Sequence, residues 1–353
     1  MITKNKVGVV IAVAIILIIV IANLVFNNDN NKGLTIGAIL PMTGPASLWG
    51  ETVKNGMDLA LENTKGINVK YEDCKSTAVG GIGAYNLLKT KGVNLFFSEL
   101  SLVSVPLSKL ALENKTPLLV SQVAAEHSSI VNDYTMRYYT DPTNYATPAF
   151  TSEISPVLKA QKLAILTRND DLGNSVKAKI IELSKANNKQ IVFAESFVPA
   201  ENDFRSMILK VKSSGADVFM FVASTPGEAV GILQTAKQIG LQMPIVEASA
   251  VFADLDTRKQ VSGIPFYSTS YDFSSPGNAV EFKTAYKIKY GREPNFGAAF
   301  GYDMIKFIDR CKTESENTLD CLNDIREING TAGMATQVEL NDFTVKMHLE
   351  KVN

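Results

Sequence analysis

From residue 34 onward, short apolar runs alternate with stretches in which apolar residues recur every three or four positions. The runs have the length of strands buried on both faces, and the stretches between them read as amphipathic helices. This order predicts parallel sheets with crossover helices. One series of strands falls at 34–40, 67–72, 93–98, 117–121 and 136–139. A second falls at 162–167, 190–195, 217–222, 244–247 and 266–270, with helices such as 175–185, 204–213 and 228–239 between them. Two series imply two similar α/β lobes, each built on a doubly wound parallel sheet. The rhythm then breaks: 276–290, 295–311 and 319–328 read as three helices, and 337–340 with 344–350 as a closing hairpin. The chain is expected to cross between lobes at 139–142 and 270–275. The predicted division puts 33–140 and 272–332 in lobe 1, and 141–271 and 333–353 in lobe 2.

The N-terminus follows neither period. Residues 7–26 carry no charge, and at about 1.5 Å per residue they reach about 30 Å, enough to span a bilayer. Lys4 and Lys6 precede the run, which places the short N-terminus in the cytoplasm and the remainder outside. The run is longer than the apolar core usual in a signal peptide, which favours a retained single-pass anchor, although Val20 and Ala22 imitate a cleavage site. Residues 27–32 (NNDNNK) read as a short flexible tether.

Composition narrows the function by exclusion. The net charge of -1 gives no basic face for nucleic acid. His127 and His348 lie far apart with no cysteine or carboxylate at ligand spacing, so no metal site is expected. Gly80, Gly81 and Gly83 lack the third glycine of a dinucleotide loop, and no serine or cysteine has a visible histidine and carboxylate behind it. Neither an enzyme nor a cofactor is expected. Cys311 and Cys321 flank a short polar segment and are either a disulfide between two helix ends or two free thiols; Cys74 reads as a buried small hydrophobe.

The most informative stretch is 34–60, LTIGAILPMTGPASLWGETVKNGMDLA. A strand ends at Pro41, Gly44 and Pro45, Ser47 can cap a helix, and Trp49, the only tryptophan, falls in the first turn. That puts an aromatic ring beside the carboxyl end of a strand, where open α/β sheets bind small ligands. Together with GVNLFFSELSLVSVPLSKLALENKTPLLVS, SMILKVKSSGADVFMFVASTPGEAVGILQTAKQIGL and YKIKYGREPNFGAAFGYDMIKFI, in that order, the stretch resembles the type 1 periplasmic binding proteins. Within them it is similar to the leucine/isoleucine/valine-binding branch that feeds branched-chain amino-acid importers.

The resemblance implies two lobes joined by three hinge strands and closing over one small molecule. It places Trp49 against the ligand, and Ser101 with a helix N-terminus on the ligand's carboxylate. The loop Val123, Ala124 and Ala125 would offer main-chain groups, and Thr225, Tyr271 and Phe296 stand at further contact regions. Three positions depart from the pattern of amino-acid binders: Ala125 replaces a hydroxyl residue, Leu172 a tyrosine, and Ser249 the acid that pairs the ammonium. Glu247 stands two residues from Ser249 and is the candidate substitute; Glu99, two residues before Ser101, reads as a solvated or hinge-facing carboxylate. The expected function is capture of an amino acid or related amide or carboxylate outside the cytoplasm and delivery to the permease of an ABC importer. The alternative is a ligand sensor acting through a separate signalling partner. A monomer is expected, held to the membrane by its N-terminal helix.

Overall fold

The computed structural model describes residues 33–271, 278–314 and 318–352. The predicted anchor and tether lie outside these residues, as do 272–275 of the second crossing and 276–277 of the predicted helix that follows it. Among the described residues, no helix is long and apolar enough to cross a membrane.

Strands β1 (Leu34–Leu40), β2 (Ile67–Asp73), β3 (Leu95–Glu99), β4 (Leu118–Ser121) and β5 (Thr135–Tyr139) form the parallel body of the first sheet. Strands β6 (Lys162–Arg168), β7 (Gln190–Phe197), β8 (Val218–Val222), β9 (Ile245–Glu247) and β10 (Phe266–Tyr271) form that of the second. The central strands β3, β4, β8 and β9 are buried at every position. Their sequences are therefore apolar runs rather than alternating ones, with polar residues (Ser98, Glu99, Ser121, Glu247) only at the carboxyl ends.

The C-terminal elements differ from the sequence expectation. The helix expected at 319–328 stops at Asp324, and Glu327–Gly330 forms β11. Strands β12 (Gly333–Glu339) and β13 (Asp342–Val345) make an antiparallel hairpin, and β13 then pairs in parallel with β5. The order β11-β12-β13-β5-β4-β3-β1-β2 puts 333–345 in the first sheet, not in the second lobe to which the sequence division assigned it. Only β14 (Met347–Val352) joins the second sheet, β14-β10-β9-β8-β6-β7, as an antiparallel partner of β10. The sequence predicts 344–350 as one strand of a hairpin, whereas the chain changes sheets within it, at Lys346. That change is a crossing between lobes, and it is bonded to the one after β5: Thr140 donates to the Val345 carbonyl at 3.0 Å, and the Asp141 N–H donates to Thr344 at 2.8 Å.

Helix Ser47–Leu61 packs closely on helix Phe296–Glu314. A Cβ added to Gly56 would lie 1.9 Å from the Ala298 carbonyl oxygen, and one on Gly301 2.2 Å from that of Val53. Only glycine lets the two backbones approach so closely. Ser47 is the first helical residue rather than the cap; Ala46 takes that place with no side-chain hydrogen bond. A disulfide joins Cys311 in the long helix to Cys321 in helix Thr318–Asp324, and Cys74 is buried and free.

Candidate functional site

A cavity of about 460 Å³ lies where the carboxyl ends of the strands of both sheets face one another. This is the position at which the chain leaves β1, β3 and β4 on one side and β6, β8 and β9 on the other, so loop residues from both lobes converge there. Trp49 Nε1 donates across the cavity to the Ser224 carbonyl at 3.4 Å, so the lobes touch.

One wall is aromatic. The rings of Trp49 and Phe296 lie 5.1 Å apart, a consequence of the glycine-mediated approach of their two helices. Phe296 is backed in turn by Tyr271 at 5.0 Å.

Beside this wall helix Ser101–Asn114 begins. The N–H groups of Val103 and Ser104 bond to the Leu100 carbonyl, which leaves those of Ser101 and Leu102 as the unpaired donors of the first turn. The Ser101 hydroxyl accepts from the Ala124 N–H at 3.0 Å, so its own proton is available to the cavity. Two N–H groups, one hydroxyl and the positive end of a 14-residue helix together suit a carboxylate.

The facing wall is charged. Arg168, the last residue of β6, reaches Asp170 at 2.9 Å through Nη1 and Glu228 at 3.1 Å through Nε. Glu228 is buried and also accepts the N–H groups of Ala200, Ser224 and Thr225, while Asp170 accepts from Gly173 and from the Ser224 hydroxyl. Asp171 stands exposed at the rim. Asp170 and Asp171 line the cavity beside one guanidinium that Glu228 backs from behind, so this wall is net acidic, which favours the cationic end of a ligand.

Three cavity-lining residues hold backbone angles that L side chains rarely adopt: Ser76 at φ 54° after β2, Leu100 at φ 69° after β3 and Gln122 at φ 53° after β4. Each follows the end of a strand of the first sheet.

A family model described as periplasmic binding protein matches residues 33–327. The chain belongs to that family. The Leu/Ile/Val-binding protein homolog 7 of Brucella abortus (strain 2308) is 24% identical over 328 residues, 85% of this chain and 79% of that protein. Among solved structures, the branched-chain amino acid transporter substrate-binding protein LivJ of Streptococcus pneumoniae, in complex with isoleucine, superposes with a TM-score of 0.78 at 21% identity. The match covers 91% of this chain and all of that one. A solute-binding protein of Rhodopseudomonas palustris in complex with 4-hydroxybenzoate gives 0.79 at 19% identity, covering 91% and 93%. At such identities the solved structures speak for the fold of this periplasmic binding protein.

Of the residues picked out in the sequence, Trp49, Ser101, Ala124, Leu172, Thr225, Ser249 and Phe296 line the cavity of this periplasmic binding protein, and four do not. The carbonyls of Val123 and Ala125 face away and accept from Arg137 Nη1 at 3.2 and 2.6 Å; Arg137 is itself clamped by Asp342. Tyr271 stands behind Phe296 with its hydroxyl 2.7 Å from that of Tyr145. Glu247 is fully buried and accepts from the Ser249 N–H at 2.7 Å, the Ser249 hydroxyl and the Ser268 hydroxyl at 2.6 Å. It cannot serve as the substitute acid, because its lone pairs hold the loop after β9 and desolvation by burial raises its pKa. The Ser249 proton is likewise committed to Glu247.

The sequence reading missed Gln122, Arg168, Asp170, Asp171 and Ser224. The signal was present in the run RNDD directly after a strand, since strand ends carry the site in this architecture. Glu99 is neither solvated nor at a hinge: it is fully buried, and desolvation alone pushes its carboxyl up to about 8.

Proposed function

We propose that this chain is an extracytoplasmic solute-binding protein that takes up a small carboxylate ligand, an amino acid or a close relative, between its lobes and delivers it to an ABC importer. The observation that carries the reading is the composition of one cavity shared by two lobes. A helix N-terminus with a free hydroxyl proton and a Trp49–Phe296 wall stand on one side, and a net acidic wall on the other. The carboxylate docks at Ser101 and Leu102, the apolar part packs on the rings, and the cationic end faces Asp170 and Asp171. The acid absent from position 249 is thus supplied from the end of β6. The proteins of similar sequence and shape named above, with their amino-acid and aromatic-acid ligands, support a carboxylate. The uncharged run at 7–26 supports placement of the lobes outside the membrane.

Thermal unfolding of the purified protein with excess L-isoleucine, or with excess 4-hydroxybenzoate, tests the reading, because a ligand at 100 times its dissociation constant adds about 2.7 kcal/mol. Ser101→Ala is expected to weaken calorimetric binding of whichever carboxylate stabilises the wild type by about 1–3 kcal/mol. Equal affinity in that variant, or no stabilisation by any carboxylate, overturns the reading.

A further inference from the structure

We infer that Gln122, held in place by the buried Glu99, is the residue through which the cavity reads a hydrogen-bond donor on the carbon next to the ligand's carboxylate, which selects α-amino and α-hydroxy acids. The inference rests on the carboxylate-binding reading above.

Gln122 lines the cavity, and its Nε2 donates to Glu99 Oε2 at 2.6 Å. Its Oε1 has no partner among the described residues. An amide that gives its NH₂ to a group behind it presents its carbonyl oxygen in front, and a carbonyl oxygen can only accept. The backbone at φ 53° fixes where the side chain starts. Glu99 is fully buried, and Gln122 is its one hydrogen-bond partner among the described residues; Oε1 of Glu99 has none. An apolar residue would fill this site without that desolvation cost, so packing does not account for a carboxyl group there. With its pKa pushed up to about 8, Glu99 keeps its proton at neutral pH, and Oε2 remains an acceptor for Gln122.

Position supplies the rest. Glu99 pairs with Ser121 across β3 and β4, neighbouring strands about 4.8 Å apart; Gln122 follows Ser121 directly and Ser101 follows Glu99 by two residues, so both stand at the same end of the sheet. A carboxylate held at Ser101 brings its α-substituent to Gln122. A hydroxyl on the far side of an aromatic ring lies too distant to reach both.

The test uses three probes of one shape: L-isoleucine, 2-hydroxy-3-methylpentanoate and 3-methylpentanoate, titrated calorimetrically into the wild type, Gln122→Leu, Glu99→Leu and Glu99→Gln. The wild type is expected to bind the first two at least about ten-fold more tightly than the third, the worth of one good hydrogen bond. Gln122→Leu is expected to bring 2-hydroxy-3-methylpentanoate within about three-fold of 3-methylpentanoate, with the latter unchanged, while L-isoleucine keeps only the share of its preference that Asp170 and Asp171 supply to its ammonium. Glu99→Leu should collapse the same ratio through loss of positioning, and Glu99→Gln should restore it. An undiminished ratio in Gln122→Leu overturns the inference, as does wild-type binding of 3-methylpentanoate as tight as that of isoleucine. Should Gln122→Leu fail to fold, the pair of Glu99 variants decides by the same ratio. If 4-hydroxybenzoate binds in a Ser101-dependent manner while none of the three probes does, the inference fails and the carboxylate reading stands; if no carboxylate binds, that reading fails as well.

Discussion

Glu99 shows how a single residue couples the site to solution conditions. Burial raises its pKa from 4.5 to about 8, so between these values the folded protein keeps a proton that the unfolded chain releases. Folding takes up that proton, and stability therefore falls as pH rises through the window. Burial raises the carboxyls of Asp303 and Glu247 as well, but their effect is common to any pair of variants that differ only at residue 99. Glu99→Gln has nothing to titrate there, so its stability relative to the wild type is expected to improve by on the order of 4 kcal/mol between pH 5 and pH 8. Urea unfolding at the two pH values measures this, and parallel behaviour of the two proteins would exclude a buried neutral Glu99. The residue also marks a limit of sequence reading. A carboxyl next to Ser101 looks solvated in the chain, and only the fold shows it sealed behind Gln122.

At the scale of elements, the central strands of both sheets were legible because burial on both faces writes itself as apolar runs, as in VFMFV and the LFF of β3. The aromatic wall and Ser101 were legible through strand-end position and resemblance. The C-terminal strands were not: β11, β12 and β13 carry alternating or short patterns, and which sheet they join depends on partners far away in the chain, such as β5 for β13. Nor does the chain announce that Val123 and Ala125 turn their carbonyls from the ligand, since that requires Arg137 and Asp342, which are 205 residues apart in sequence. The approach of helices Ser47–Leu61 and Phe296–Glu314 is also silent in the sequence, although it sets the Trp49–Phe296 spacing. Gly56→Ala inserts a methyl group 1.9 Å from the Ala298 carbonyl, and backbone on both sides must move. We expect a loss of about 1–3 kcal/mol in stability, with weaker carboxylate binding as the rings part. An unaltered melting temperature and affinity together would show that this helix contact does not set the site.

For the molecule as a whole, the question is what ligand does to the lobes. Ligand shifts a two-lobe equilibrium only by the contacts that it makes to both lobes when they are shut. In the proposed complex those contacts come from Ser101 and the rings on one side and from the end of β6 on the other, while the crossings after β5 and β13 are hydrogen-bonded to each other. The Trp49–Ser224 hydrogen bond belongs to the same shut arrangement, since its donor and acceptor sit on opposite lobes. Trp49 is the chain's only tryptophan, so its emission reports on this contact without interference. Saturation with a binding carboxylate is expected to shift that emission, because ligand packs on the ring and holds its Nε1 in the interlobe bond. Trp49→Phe keeps an aromatic face toward Phe296 but removes the donor, so it should weaken binding by about 0.5–1.5 kcal/mol. Small-angle scattering of the unliganded variant is expected to show a larger radius of gyration than that of the wild type. If a carboxylate that calorimetry shows to be bound leaves Trp49 emission unchanged, the ligand does not sit against this wall. If Trp49→Phe then binds it as tightly as the wild type, the interlobe bond plays no part in closure.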